Sequence, residues 1–295
     1  MSLPRPLQRG DRVRLVAASS ALTSESRERL AAGVALLQDW GLQIEPSLAS
    51  ERRWGYLAGR DAERASDLGL DGAPALWACL RGGWGAARLL EQADLALPDG
   101  WLLGFSDVTA LLWAQRARGL GGGIHGPLLT TLAAEPAWSQ QRLRQLLFGE
   151  SLPPLLGSGW QPGCAQGPLL AANLTVATHL LGSSHCPALA GAILVLEDVG
   201  EAPYRLDRLL THWRLCGALQ QLAGLALGRF DDCDDPEGEG FSCDQVLRER
   251  TADLGIPVLA DLPVGHGDAG NAALPIGALA RLDASGGSLS LLSAG

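Results

Sequence analysis

The chain of 295 residues contains no lysine; all 23 of its basic residues are arginine. That absence excludes Schiff-base chemistry, which needs a lysine amine. It also excludes the lysine of a P-loop and the strand lysine of a kinase-like site. Positive charge is scarce overall, and 32 acidic residues leave a net charge of −9. Nucleic acid is therefore not the expected partner, because that binding rests on neutralising phosphates. No apolar run reaches the roughly 18 residues that cross a bilayer, so no membrane partner is expected. The ten opening residues carry no apolar stretch behind a basic end, which predicts no secretory signal and a cytoplasmic location. The six cysteines (Cys79, Cys164, Cys186, Cys216, Cys233, Cys243) include no C-x-x-C pair. They read as free thiols rather than a zinc site or a disulfide frame, so neither metal nor cofactor is expected. The acidic run 231–235 lacks the spacing and terminal Glu of a calcium loop and reads as solvated.

The composition, 47% hydrophobic and 19% charged, is that of a globular protein whose length suits two cores. Short apolar runs at 12–18, 42–48, 76–80, 101–105 and 123–129 predict strands. Between them, 24–40 (capped by Ser24), 61–70 and 108–116 read as helices, which implies βαβ units and a mostly parallel sheet. Residues 135–166 are rich in Gly, Pro and Ser without clear period and read as a linker or crossover. The chain thus divides into an α/β domain at 1–134, the linker, and a second domain at 167–295. In that second domain 173–181, 205–222 and 245–254 read as helices, 192–196, 224–227 and 257–262 as strands, and 278–292 as a hairpin.

In parallel sheets ligands sit beyond the carboxyl ends of strands, and three strand ends carry reactive side chains. Ser106 stands between a strand and an apolar helix in Gly104-Phe105-Ser106-Asp107. That strand–turn–helix setting exposes a hydroxyl at a helix N-terminus and aims the Asp107 N–H at an oxyanion. The alternative is that Ser106 merely caps the helix. Glu197 closes the run AILVL, and His266 lies between two glycines. In chain order these read Ser…Glu…His, one of the orders found in hydrolytic triads. His266 would take the Ser106 proton and Glu197 would orient the ring. Arg81-Gly82-Gly83 follows another strand, and either glycine could turn an N–H toward the same oxyanion.

GYLAGRDAERASDL (55–68), RGGWGAARLL (81–90), GFSDVTALL (104–112), HGP (125–127), LEDVGEAPYRLDRLL (196–210) and GHGDAGNAALPIG (265–277) follow one another. Together they resemble the murein-tetrapeptide LD-carboxypeptidase family, which includes the microcin C immunity peptidases. The resemblance runs from about residue 12 to about residue 280. It implies a nucleophile at Ser106, with Glu197 and His266 completing the triad. It also implies an oxyanion hole from Asp107 and Gly82 or Gly83. The implied fold is an amidotransferase-like α/β domain plus a smaller swivelling β/β/α-type domain. The implied reaction is removal of a terminal D-alanine from a small murein peptide, by a homodimer, in cell-wall recycling.

This sequence departs from the family pattern at Trp84, where Tyr is usual, and at Pro98-Asp99, where Pro-Lys is usual. It departs again at Ala171-Ala172-Asn173-Leu174, where Gly-Gly-Asn-Leu is common. Without lysine, the substrate carboxylate must be met by arginine or by backbone amides. Arg81, Arg88, Arg205 and Arg208 are candidates, and Trp84 and His125 could line the cleft. Asp61, Arg64 and Asp67 read as a charged helix face. The immunity branch acts on nucleotide conjugates and would need an aromatic to stack on the base; Trp160 is the candidate.

Overall fold

The computed structural model of the chain describes residues 3–234, 238 and 240–292. Its first sheet contains β1 (Arg12–Val16), β2 (Gln43–Ile44), β3 (Leu76–Cys79), β4 (Trp101–Gly104) and β5 (Gly123–His125). These five run parallel in the order β2-β1-β3-β4-β5. Every residue of β3 and β4 is buried, as expected of strands covered on both faces. Helices α1 (Ser24–Asp39), α2 (Asp61–Ser66), α3 (Ala86–Leu89), α4 (Thr109–Ala117), α5 (Leu129–Leu132) and α6 (Ala137–Leu147) pack around this sheet. The strand order reverses between β1 and β3, and there a crevice opens at the carboxyl ends of the strands.

The second sheet is built from β6 (Leu155–Leu156), β7 (Ser158–Gln161), β8 (Cys164–Asn173), β9 (Ile193–Val199), β10 (Gly224–Asp231) and β11 (Val258–Ala260). β12 (Leu274–Pro275) leaves this unit and adds antiparallel to β5, on the edge of the first sheet. The hairpin β13 (Leu279–Asp283) and β14 (Ser288–Leu291) completes the second sheet, in the order β6-β14-β13-β8-β9-β10-β11-β7. The continuous segment β6–β7 pairs with both ends, so the sheet curls to meet itself. Helices α7 (Leu174–Leu180), α8 (Pro203–Leu215) and α9 (Cys243–Thr251) cover it.

Helix α4, which leaves the Ser106 turn, joins the two units. It carries a continuous buried run from Thr109 to Gln115. Trp113 meets Trp213 edge to face at 6.2 Å and donates from its indole to Ala171 O at 3.1 Å. Such an aromatic pair adds about 1 kcal/mol beyond the area it buries, and the indole bond fixes α4 in register with β8. One apolar core therefore runs from the first sheet through α4 into the second. No helix among the described residues is long and apolar enough to cross a membrane. All six cysteines are free thiols.

The structure corrects several expectations. The 135–166 stretch holds α6 and two strands, and β8 starts inside it. The cap of α1 is Thr23, whose hydroxyl accepts from Ser26 N, rather than Ser24. The 42–48 strand shrinks to two residues, and 126–128 leaves the sheet as an irregular turn into α5. β9 runs on through Glu197 to Val199, so Glu197 lies within a strand rather than at its end. The Asp61, Arg64, Asp67 face points inward. Arg64 is fully buried, donating to Ala18 O and Gly85 O and pairing with Asp61, while Asp67 accepts from Ala17 N and Arg52. Of the acidic run 231–235, Asp235 lies outside the described residues.

Candidate active site

β4 delivers its chain into the crevice and turns sharply. Phe105 is extended, and Ser106 adopts φ +61°, a conformation uncommon for any residue but glycine. A short 3₁₀ turn, Ser106–Val108, then leads into α4. The turn holds because its neighbours are fixed. Asp107 is buried and its Oδ2 accepts from Ala86 N at 2.8 Å, so it anchors the start of α3. Gly82 lies against the serine: a Cβ there would sit 3.0 Å from Ser106 Oγ, so no side chain fits without displacing it. Gly83 has φ +108° and faces Ser20. The N–H groups of Gly82, Gly83 and Asp107 donate to no acceptor among the described residues.

The other two groups arrive from the second unit. His266 Nε2 lies 3.2 Å from Ser106 Oγ, and its Nδ1 lies 2.7 Å from Glu197 Oε2. The same carboxylate oxygen accepts from His266 N at 3.3 Å. Glu197 is fully buried, and its Oε1 has no partner among the described residues. Gly265 (φ +104°) allows this approach, since a Cβ there would fall 2.6 Å from Glu197 Cβ. Burial pushes the Glu197 carboxyl up, against the pull of the imidazole. Burial also disfavours the His266 cation, but the hydrogen bond and charge of Glu197 outweigh it, and the imidazole ends above its ordinary value. The pair is thus arranged to hold a proton on the ring.

The His266 loop is held from two sides. From β10, Arg229 Nε donates to His266 O at 2.5 Å, and its Nη2 donates to Gly265 O at 2.7 Å and Gly270 O at 2.6 Å. From the first unit, Glu135 Oε2 accepts from Asn271 N at 2.7 Å and Ser139 Oγ donates to Asn271 O at 2.8 Å. Asn271 Oδ1 in turn accepts from Gly265 N.

Two lobes of a cleft meet at Phe105, Thr130, Thr131, Arg29 and His266. The smaller, of about 220 Å³, is also lined by Ser26, Arg81, Gly82, Gly83, Ser106 and Leu128. The larger, of about 330 Å³, is also lined by Glu135, Pro136 and the loop residues Gly265, Gly267, Asp268 and Gly270. Arg81 bonds Ala21 O and has no acidic partner within 4 Å among the described residues.

Not every candidate comes to this cleft. Trp84 is 49% exposed, bonds Ser20 Oγ through its backbone and lines neither lobe. Arg205 pairs with Glu201, and Arg205 and Arg208 both flank the Tyr204 ring on α8, outside the lining. Arg88 is held by Asp61. His125 is wholly buried behind Phe105, its ring nitrogens unpartnered among the described residues, and burial with the nearby His266 pushes its pKa down to about 3. Trp160 lies under Arg248 and lines a separate cavity of about 530 Å³. A larger cavity of about 560 Å³, between α6 and β6, is also away from Ser106. Sequence reasoning missed Arg29, Thr130, Thr131, Glu135, Asn271 and Arg229. Only Arg229, placed near the end of a strand, carried a usable signal.

Residues 13–126 match the family model of the LD-carboxypeptidase N-terminal domain, and residues 166–282 match that of its C-terminal domain. The chain belongs to the LD-carboxypeptidase family. It is accordingly an enzyme, a serine peptidase. The murein tetrapeptide carboxypeptidase of Pseudomonas aeruginosa is 36% identical over 92% of this chain and 93% of its own. A Synechocystis protein bearing a carboxypeptidase name is 48% identical over 98% of this chain and 97% of its own. Among solved structures, the muramoyltetrapeptide carboxypeptidase of Oxalobacter formigenes superposes with a TM-score of 0.81 at 23% identity, covering 95% of this chain and 97% of its own. The wild-type apo microcin C7 self-immunity protein gives 0.84 at 22% identity, covering 99% of each chain. At such identities the two solved structures establish a shared fold.

Proposed function

We propose that this LD-carboxypeptidase releases the terminal D-alanine of murein tetrapeptides through an acyl-enzyme on Ser106. One observation carries the reading: three side chains from separate segments meet as Ser106, His266 and Glu197 at 3.2 and 2.7 Å. Neutral His266 takes the Ser106 proton as Oγ attacks the carbonyl carbon of the L-residue, and Glu197 stabilises the imidazolium that forms. The oxyanion is met by N–H groups of Asp107 and of Gly82 or Gly83. The tetrahedral intermediate then collapses, the C–N bond breaks, and His266 returns its proton to the leaving amine. Water repeats the sequence on the acyl-enzyme and frees the shortened peptide.

The leaving residue ends in a carboxylate, which suits the smaller lobe. There Arg81 offers a guanidinium with no acidic partner among the described residues, and the exposed ion pair of Arg29 with Glu25 can be exchanged. The nucleotide-conjugate reading loses its stacking residue, because Trp160 is not in the cleft. By family resemblance, the enzyme works as a cytoplasmic homodimer in cell-wall recycling.

The test is D-alanine release from a murein tetrapeptide by the wild type and by Ser106→Ala, with circular dichroism as the control on folding. Loss of at least a thousandfold in rate is expected, of the order seen when a triad nucleophile is removed. A folded variant that still releases D-alanine at the wild-type rate would sink the assignment.

A further inference from the structure

Arg142, on α6, carries a buried charge without a counter-ion. It is 4% exposed, yet no carboxylate lies within 4 Å of it among the described residues. Its Nε donates to Ala273 O at 3.1 Å and its Nη1 to Pro153 O at 2.7 Å, whereas Nη2 donates to no described residue. A guanidinium has five N–H donors, and a buried one is ordinarily paired with an acid. Here burial lowers its pKa to about 10 and no acid raises it, so it stays positive at neutral pH. Arg142 borders the cavity of about 560 Å³ between α6 and β6, which shares no lining residue with either lobe of the cleft. From α6 come Trp138, Arg142 and Gln145, at i, i+4 and i+7 on one helix face. The Gln145 side-chain amide has no hydrogen-bond partner among the described residues. Opposite stand Pro153, Leu155 and Pro263. The prolines have one fixed torsion and no N–H, so this wall is stiff and apolar. Pro153 is both part of the wall and the acceptor of Nη1, which brings the guanidinium to the cavity with Nη2 unspent.

We infer that this cavity is a second binding site, separate from the peptidase cleft, for a small carboxylate carried on an apolar body. The carboxylate lies on Arg142 and Gln145, and the body lies between Trp138 and the proline wall. The volume suits one small molecule. A bare anion would answer the charge and leave the apolar wall wet. A neutral apolar molecule would cover the wall and leave the guanidinium without a counter-ion. The site does not depend on the peptidase reading.

The test is calorimetric titration of the whole chain with phenylpropionate, its neutral amide and acetate. The wild type is expected to bind phenylpropionate at least about tenfold more tightly than either of the others, the value of one charge-assisted hydrogen bond. Arg142→Met should bring the acid down to the amide while the amide itself binds as before, which shows that the cavity kept its shape. Gln145→Glu gives Arg142 a counter-ion from the chain and should weaken the acid by about tenfold, even if Arg142→Met loosens the fold. Trp138→Ala should weaken acid and amide alike. Arg81→Gln, in the catalytic cleft, should change none of these affinities. Equal binding of acid and amide by the wild type, undiminished binding of the acid by Gln145→Glu, or its loss in Arg81→Gln overturns the site. So does a wild type that binds no acid and whose dimer falls to monomers in Trp138→Ala by light scattering, which would give this face to a second copy of the chain. None of these outcomes bears on D-alanine release, which Ser106→Ala tests by itself.

Discussion

Replacing Arg229 by methionine isolates what the His266 loop owes to a single side chain. The substitution keeps the apolar stem and deletes the guanidinium, which now donates to the carbonyls of Gly265, His266 and Gly270 at 2.7, 2.5 and 2.6 Å. A hydrogen bond from a charged donor contributes about 1.5–3 kcal/mol when well placed. Arg229 is half-buried and the loop borders solvent, so water can satisfy part of what is lost. For three such bonds, roughly 2–4 kcal/mol of loop order should disappear. At 1.36 kcal/mol per tenfold, the fraction of molecules with His266 within reach of Ser106 falls by about 30-fold to 1,000-fold. The sheets themselves do not depend on these bonds, so the global Tm should fall by only a few degrees. Steady-state release of D-alanine would show a fall in kcat with little change in KM, and labelling of Ser106 by a fluorophosphonate should slow in parallel. Arg229→Lys, which can reach one or two of the carbonyls, should fall between. A methionine variant with kcat within about threefold of the wild type would refute the idea that this guanidinium sets the imidazole in place.

Two further outcomes follow from the same geometry. In the proposed mechanism His266 serves as a base only when neutral, and its pKa lies above the ordinary histidine value because of Glu197. kcat/KM should therefore be full above that raised pKa and lost as pH falls through it. Glu197→Gln should move this acid limb to lower pH while lowering the plateau by about a thousandfold or more, read from a pH–rate profile. Gly265→Ala places a methyl 2.6 Å from Glu197 Cβ at φ +104°. It should lower the Tm by several degrees and reduce kcat, at a cost of about 1–3 kcal/mol in backbone strain before the overlap is counted; a melting curve and a rate identical to the wild type would contradict the packing described.

The candidate site was legible because its side chains stand near strand ends. Ser106 follows a fully apolar strand, and glycines flank His266, so local sequence singled out both. Glu197 was picked for a sound reason, a carboxylate after an apolar run, but its strand continues. The continuation is possible because the next residue, Asp198, has its buried charge answered by Asn173 Nδ2, Thr175 N and Thr175 Oγ1. α6 escaped notice for a related reason. Its inward face includes Ser139 and Arg142, polar groups bonded to Asn271 O and Ala273 O, rather than an unbroken apolar stripe. Arg64 looked like surface and is core, because backbone carbonyls far away in sequence accept its protons. Arg29 has no local mark at all; it reaches the cleft only because α1 packs as it does on the first sheet. The fold class was readable from alternation, whereas β12 is two residues long and no periodicity announces it.

That short strand bears on how the protein comes to be made. His125, at the rim of the first sheet, waits for Leu274 as its antiparallel neighbour. During synthesis the five parallel strands emerge with the β5 border uncovered, and it stays uncovered until almost the whole second unit has been translated. An unpaired border of this kind is a place where nascent chains stick to one another. Only seven residues lie between His266 and Leu274. Covering the border therefore brings in the imidazole, and the molecule gains its proposed base at about the moment it covers that edge.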